Sequence, residues 1–239
     1  MKVTSLGFDP IEKKPLARYK PGSMILSVGS LGCTMHCPWC QNHSIAQPED
    51  PQAVPVREMS AKELVDQAQA LVNEDNIGLA YTYNEPLMRW RDVLECAEAI
   101  HEAGLDNVVV TNGLITPDKL AQLLPFIDAL NIDLKGFSQD VYDITGGTLE
   151  MVKHTIEQAR ENAHVEVTTL LVPGVNDDME LLDEEAAWLA GIDPDIPLHL
   201  TRFFPQYRYA DRHATPLPAL LEAQSVAQHH LNDVLLGNV

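Results

Sequence analysis

The chain has 239 residues, 45% of them hydrophobic and 21% charged, an ordinary globular balance that excludes a disordered chain. Thirty-five acids against 16 Lys and Arg give a formal charge of −19, so phosphate backbones are repelled and nucleic acid is not an expected partner. No apolar run reaches the ~18 residues of a membrane helix, and MKVTSLGFDPIEKKPL lacks a signal-peptide core, so the expectation is a soluble cytoplasmic protein without membrane contact.

Five of the bases (Lys2, Lys13, Lys14, Arg18 and Lys20) fall in an N-terminal extension, residues 1–22. The first predicted strand, Met24–Val28, leads into a cysteine-rich loop. Ser60-Ala-Lys-Glu63 is a capping box that opens a helix through about Val72. A strand over Ile77–Tyr83 is followed by a helix from Arg91 to Ala103, stopped by Gly104. Next come a strand at Asn107–Thr111 and a helix opened by Thr116 as N-cap and Pro117 at its first turn. A strand at Ala129–Leu134 precedes a helix from Thr148 to Asn162. A strand at Val165–Val172 precedes a helix from Asp178 to Ala190, stopped by Gly191. A sixth strand, Leu198–Phe203, precedes a helix over Leu217–Leu231, and Asp233–Val239 is a further strand candidate. The strands are apolar nearly throughout, as strands buried on both faces are. The ten acids between Arg160 and Arg202, with no base among them, read as a solvated outer face.

Strand and helix alternating six times predict α/β architecture with a parallel sheet and right-handed crossovers. Six units fall short of the eight in a closed barrel of ~250 residues. The expectation is a partial (β/α)6 TIM-like barrel, with a doubly wound sheet as the alternative. It forms a single domain over 1–239, in which 23–205 build the barrel and 206–239 add the last helix and strand.

Three of the four cysteines lie within eight residues, as C-x3-C-x2-C at Cys33, Cys37 and Cys40. Clustered cysteines suit metal or redox chemistry rather than a disulfide framework. Cys96 sits at an apolar helical position and reads as a small buried hydrophobe. Three thiolates on a tight loop suit a [4Fe–4S] cube with one iron open. The alternative is zinc, completed by His36 or His43. Polar groups interrupt the other strands near the same rim: Asn84 and Glu85, Thr111 and Asn112, Asp133 and Lys135, His199 and Arg202. Function collects at such strand ends, so together they describe one concave site.

The run CTMHCPWC after an apolar strand, with an aromatic residue just before the third cysteine, resembles the radical S-adenosylmethionine (SAM) superfamily. FDPIEKKPL, PGSMILSVGSLGC, CQNHSIAQ, YTYNEP, DNVVVTNG, NIDLKGF, LLVPGVND and HLTRFFP extend the likeness over nearly the whole chain, in particular to AmmeMemoRadiSam-system enzymes, relatives of pyruvate formate-lyase activating enzyme. The resemblance implies a partial barrel of the radical SAM type, with a [4Fe–4S] cluster and SAM as cofactors. It implies that Cys33, Cys37 and Cys40 ligate the cluster, leaving one iron for the amino and carboxylate groups of SAM. Asn84 and Glu85 occupy the position of the family's Gly-Gly-Glu segment and address the SAM amine. Asp133 and Lys135 match an Asp-x-Lys pair for the methionyl group. Asn112 and His199 match positions near the ribose hydroxyls, and Trp39 and the Val172–Pro173 backbone lie near adenine. Related activating enzymes carry an acid where this chain has Val110, so Asn112 or Thr111 is expected to take that contact.

The implied reaction is reductive cleavage of SAM to methionine and a 5′-deoxyadenosyl radical, which abstracts hydrogen from a substrate. The candidate substrate is a glycine of a partner protein, as in glycyl-radical activation; another protein or a small molecule is the alternative. A one-electron donor such as flavodoxin or ferredoxin is implied, with the basic cluster around Lys13 and Lys14 as a candidate docking point. The absence of a second cysteine cluster implies no auxiliary iron–sulfur centre, and the chain's length relative to longer relatives implies a partly open barrel mouth. The rival from another class is a non-enzymatic zinc or iron–sulfur binding module, which has no use for Glu85, Asp133 and Lys135 together.

Overall fold

A computed structural model describes residues 1–239. Ten strands occur: β1 Lys2–Val3, β2 Ser5–Pro10, β3 Met24–Gly29, β4 Arg57–Glu58, β5 Asn76–Thr82, β6 Asp106–Thr111, β7 Ala129–Asp133, β8 His164–Leu171, β9 Leu198–Arg202 and β10 Val234–Gly237. Between them lie α1 His43–Ala46, α2 Ala61–Ala70, α3 Trp90–Glu102, α4 Pro117–Leu123, α5 Gln139–Thr145, α6 Leu149–Arg160, α7 Met179–Ile192 and α8 Leu217–Ala227. No helix is long and apolar enough to cross a membrane.

Eight strands form one sheet in the order β10-β9-β8-β7-β6-β5-β3-β2. Every neighbouring pair from β3 to β10 is parallel, and only β2 runs antiparallel, along β3. Strand order follows chain order without reversal. A doubly wound sheet needs a reversal, so the arrangement is the partial barrel. All six predicted strands are present, and β10 adds the terminal one. The N-terminal extension supplies β2, which sequence patterning did not reveal. β1 and β4 pair separately as a short antiparallel ribbon.

Alternate residues along the strands separate two faces. One face, carrying Leu79, Tyr81, Val109, Leu130, Ile132, Val167 and Leu200, packs against the helices in the main apolar core. On the other face Ile25, Ala80, Val108 and Ala129 meet Ile11 and Leu16 in a second, smaller cluster. The N-terminal segment therefore plugs the concave side near the amino ends of the strands, leaving the carboxyl ends for the site.

The helices follow their punctuation with exceptions at α1, α5, α7 and α8: α8 ends at Ala227 rather than Leu231, and the one-turn α1 has no sequence signal. The Ser60–Glu63 capping box forms in both directions, but α7 continues through Gly191 to Ile192 rather than ending there. A single glycine costs a helix only about 1 kcal/mol, and continuing through it seats Ile192 against the core. The helix α5 was not expected at all; it is short and lacks a long apolar period.

The acidic stretch is not wholly a solvated face. Glu166 is 0% and Glu185 1% exposed. Glu185 on α7 accepts one hydrogen bond, from Thr169 Oγ1 at 2.5 Å, and burial pushes its pKa up from 4.5 to about 8. Between those values the native protein keeps a proton that the unfolded chain loses. Stability from this site is therefore complete below about pH 4.5 and drains away as pH rises towards 8. Glu185→Gln carries no such titration. Denaturant unfolding is expected to show the variant gaining a few kcal/mol on the parent between about pH 5 and 8; parallel profiles would refute this.

Candidate active site

The loop after β3 carries the three cysteines, and main-chain bonds to several elements fix its course. Gly32 N–H donates to the Ile45 carbonyl at 2.9 Å and His36 N–H to that of Thr145 at 2.7 Å. The second bond explains the role of α5: its C-terminal Gly146, at φ +84°, lies directly under the His36 ring. A methyl group there would stand 2.2 Å from His36 Cε1, so the close approach requires glycine. Asn84 ties the loop entrance to β5. It accepts from Ser30 N–H at 2.9 Å and donates through Nδ2 to the Gly32 carbonyl at 2.7 Å.

All four cysteines are free thiols. Burial pushes Cys33 up to about 12, with the Glu85 charge adding to it. Cys37 and Cys40 are raised by burial as well. Cys37 is buried and Cys33 and Cys40 half-buried; such thiols, outside any disulfide, suit soft donors that ionise on binding a metal.

Glu85, beyond β5, is 1% exposed. Its carboxylate accepts from Thr111 Oγ1 at 2.8 Å, Asn112 N–H at 2.7 Å and Leu87 N–H at 2.9 Å. Burial raises its pKa from 4.5 to about 7 against the pull of those three donors. The carboxylate is thus committed to holding the turn after β6. Thr111 is equally committed: it is buried and donates to Glu85, so its hydroxyl does not replace the acid missing at Val110. Asn112 reaches the cysteine loop. Its Nδ2 donates to Thr34 Oγ1 at 3.0 Å and approaches Cys33 Sγ at 3.6 Å.

Asp133 closes β7, and Lys135 follows two residues later. Their side chains pair at 3.1 Å and remain partly open, 33% and 14% exposed. Burial opposes the Lys135 charge, but the Asp133 carboxylate beside it outweighs that and raises its pKa. Asn176 braces the pair's backbone by donating to the carbonyls of Lys135 and Leu170, both at 2.8 Å.

His199 faces the concave side, in register with Thr168 and, one strand further, with Asp133. Its Nε2 contacts Glu166 Oε2 at 2.6 Å. Glu166 also contacts His164 Nε2 at 2.9 Å and accepts from the N–H groups of Ala17 and Arg18 at 2.9 and 2.7 Å. These partners overcome burial and lower its pKa to about 2. Sequence reasoning missed Glu166; the available signal was an acid inside the otherwise apolar, β-branched run HVEVTTLLV. Trp39 is 5% exposed, and its ring tilts against Tyr209 at 5.6 Å, so most of its surface is spent on packing.

The basic N-terminal cluster lies elsewhere. Lys13 and Lys14 both bond Asp9 at 3.0 Å, and Lys14 is buried. Arg18 pairs with Asp233 and Lys20 with Asp106, just before β10 and at the start of β6. These bases lie at the amino ends of the strands, opposite the cysteines, with Lys13 and Lys14 sharing one carboxylate and Arg18 and Lys20 having one each; their place away from the cysteine loop argues against the expected donor docking there.

The barrel mouth is also less open than expected. Residues 203–216 cross from β9 to the cysteine loop, where Arg208 N–H donates to the Pro38 carbonyl at 2.9 Å. The Tyr207 ring stacks on His43 at 4.3 Å.

These contacts bear on which metal the loop suits. The His43 ring is stacked on Tyr207 with Nδ1 against the Cys40 carbonyl, and exposed His36 rests on α5. A Cys3His zinc site needs an imidazole free to join the thiols, whereas a cube takes three thiolates at separate corners and needs none. The donor set therefore fits the cube better than Cys3His zinc.

An α/β partial barrel with three free thiols on the loop after its first parallel strand, facing polar groups at the remaining strand ends, defines a class of metal-dependent enzyme. The Radical SAM superfamily model matches residues 27–185, and the chain belongs to that superfamily, whose members use a [4Fe–4S] cluster and SAM. An uncharacterized protein of Methanocaldococcus jannaschii is 36% identical over 241 residues, covering 100% of this chain and 71% of the relative. A domain of pyruvate-formate lyase-activating enzyme from Bacteroides vulgatus shares the fold at a TM-score of 0.58 and 16% identity, over 67% of this chain and 99% of that one. Streptococcus suis SuiB bound to the precursor peptide SuiA gives 0.65 at 14% identity, over 88% of this chain and 47% of SuiB.

Proposed function

We propose that Cys33, Cys37 and Cys40 hold the [4Fe–4S] cluster, that the strand ends around them bind SAM, and that the enzyme makes a radical on a partner polypeptide. The observation that carries this reading is convergence. The Asn112 amide at the end of β6 approaches the Cys33 thiol, and the Asp133–Lys135 pair stands partly open at the end of the neighbouring strand β7. When bound, the cofactors supply the electron transfer that splits SAM to methionine and a 5′-deoxyadenosyl radical, which takes hydrogen from the substrate.

The chain's own residues bind and orient. Lys135 receives the methionyl carboxylate and Asp133 the ammonium, so a zwitterion replaces their mutual ion pair with two charge-assisted contacts. Glu85 is a positioning residue that holds Asn112 through its backbone and Thr111 through its hydroxyl. Asn84 keeps the cysteine loop in register with β5. With Nε2 engaged by Glu166, His199 offers Nδ1 to a ribose hydroxyl. Asn112 serves the same ribose, and Trp39 with the Val172–Pro173 backbone borders adenine.

The finer proposal is abstraction from a backbone glycine, the glycyl-radical activating type of reaction. In its favour, the fold is shared with a pyruvate-formate lyase-activating enzyme domain and with SuiB, which binds a precursor peptide. Anaerobic reconstitution should give a brown protein that forms 5′-deoxyadenosine from SAM and dithionite. Coexpression with a glycyl-radical partner should then give a glycine-centred paramagnetic signal. SAM cleavage without that signal refutes glycyl activation alone; a colourless protein holding one zinc refutes the whole reading.

A further inference from the structure

We propose that the segment between β9 and α8, residues 203–216, together with Arg202 at the end of β9, is the docking surface for an acidic one-electron carrier protein that reduces the cluster. The proposal rests on the reading that Cys33, Cys37 and Cys40 hold that cluster. One electron leaves the carrier and one enters the cluster, so the carrier is oxidised by one equivalent and no bond is made or broken.

The first argument is charge. Ten of the 16 Lys and Arg side chains pair with a carboxylate. The six that do not are Lys2, Arg91, Lys119, Arg202, Arg208 and Arg212, and the last three lie within eleven residues of one another. Uncharged partners hold these three. Arg202 Nε donates to the Thr215 carbonyl at 2.8 Å and Arg212 Nη1 to that of Pro173 at 3.2 Å. Their guanidinium groups lie over Phe204 at 4.9 Å and Tyr209 at 3.6 Å, and Arg208 lies over Tyr207 at 5.1 Å. Carbonyls and ring faces orient a guanidinium without cancelling its charge. Asp211, exposed in the same segment, offsets one of the three, so residues 202–216 keep a net charge of +2 (three bases less one acid) on a protein of net charge −19. An acidic carrier is repelled by the overall charge and drawn to this place, which fixes the orientation of encounter.

The second argument is position. The inward side of the segment rests on the cysteine loop itself, through Arg208 N–H to Pro38, Tyr207 on His43 and Tyr209 on Trp39. Arg208 is exposed, and Phe204, beneath the Arg202 guanidinium, is 50% exposed. A carrier seated there is separated from the loop bearing Cys37 and Cys40 by little more than one layer of side chains. An arginine-rimmed aromatic patch of this kind fits a protein surface of carboxylates around an apolar centre.

The test uses the reconstituted enzyme and an acidic flavodoxin. Arg208→Glu is compared with Lys2→Glu, an equal charge reversal on the β1–β4 ribbon. Binding is measured at low and high ionic strength, and bleaching of the cluster is timed with reduced flavodoxin and, separately, with dithionite. Arg208→Glu is expected to weaken flavodoxin binding and slow reduction by about tenfold or more at low salt, the difference shrinking as salt rises. Its dithionite-driven bleaching stays at the parent rate, and Lys2→Glu follows the parent throughout. Equal behaviour of the two variants towards flavodoxin overturns the docking surface alone. A parent protein with no reducible cluster overturns the cysteine reading, and this proposal with it.

Discussion

Replacing any one of Cys33, Cys37 or Cys40 with alanine is expected to lower SAM cleavage by more than about a thousandfold, a barrier increase of at least ~4 kcal/mol. The loop should survive the change. Its course is set by main-chain bonds from Gly32 to Ile45 and from His36 to Thr145, and by the Asn84 side chain, none of which involves a thiol. Removing the Cys37 sulfur from its buried position costs on the order of 1 kcal/mol of packing, too little to unfold the domain. The loss is therefore chemical: two thiolates remain where the cube needs three. Iron and sulfide content, the paramagnetic signal of the reduced cluster and far-ultraviolet circular dichroism should separate the two effects. Cys96→Ala is the control. That side chain is buried on α3 among apolar neighbours, so the change should cost stability and leave the cluster intact. Normal iron content in a single variant of the loop would implicate a ligand other than these thiols.

Glu85→Ala is expected to raise the SAM dissociation constant by about a hundredfold while the cluster still assembles. The substitution leaves the N–H groups of Leu87 and Asn112 and the Thr111 hydroxyl without acceptors in a buried place. Each orphaned donor costs about 1–3 kcal/mol, and the turn after β6 relieves that cost by moving. Movement of that turn carries Asn112 away from Thr34 and Cys33, disturbing the SAM side of the site more than the cysteine loop. Glu85→Gln should fall between the two, because an amide offers one acceptor oxygen where the carboxylate offers two. Equilibrium dialysis with SAM, set beside iron content and thermal unfolding, distinguishes positioning from general destabilisation. An unchanged dissociation constant in Glu85→Ala would remove Glu85 from the site.

The pKa shifts of three buried acids show how differently burial can be resolved. Glu166 collects four donors and is driven down to about 2. Glu85 collects three and still rises to about 7, while Glu185 has Thr169 alone and rises to about 8. Desolvation acts on all three, and partner number and charge decide the outcome. Of the four donors to Glu166 only His164, two residues before it, is local in sequence. The donors to Glu166 come from Ala17 and Arg18, nearly 150 positions away, and from histidines on β8 and β9.

What the sequence determined by itself was everything set by short-range pattern. Strands apolar on both faces, helices with caps, polar residues resuming at one rim and three cysteines on one loop are each legible within a dozen residues. They suffice for the partial barrel and for the family's chemistry. The tertiary structure decided the rest, because it depended on which distant segments meet. The strand β2, with Gly7 and Pro10 in its six residues, carries no strong signal and forms because β3 offers an edge. The short helix α5 exists to support His36, a partner about a hundred residues earlier. Of the N-terminal lysines, conspicuous in sequence, Lys13 and Lys14 share Asp9 and Lys20 pairs with Asp106, at the amino ends of the strands. The arginines after β9, inconspicuous in sequence, keep their charge against the cysteine loop. Charge in a sequence is a count; its availability to a partner is a matter of geometry, and only folding settles which ions face one another.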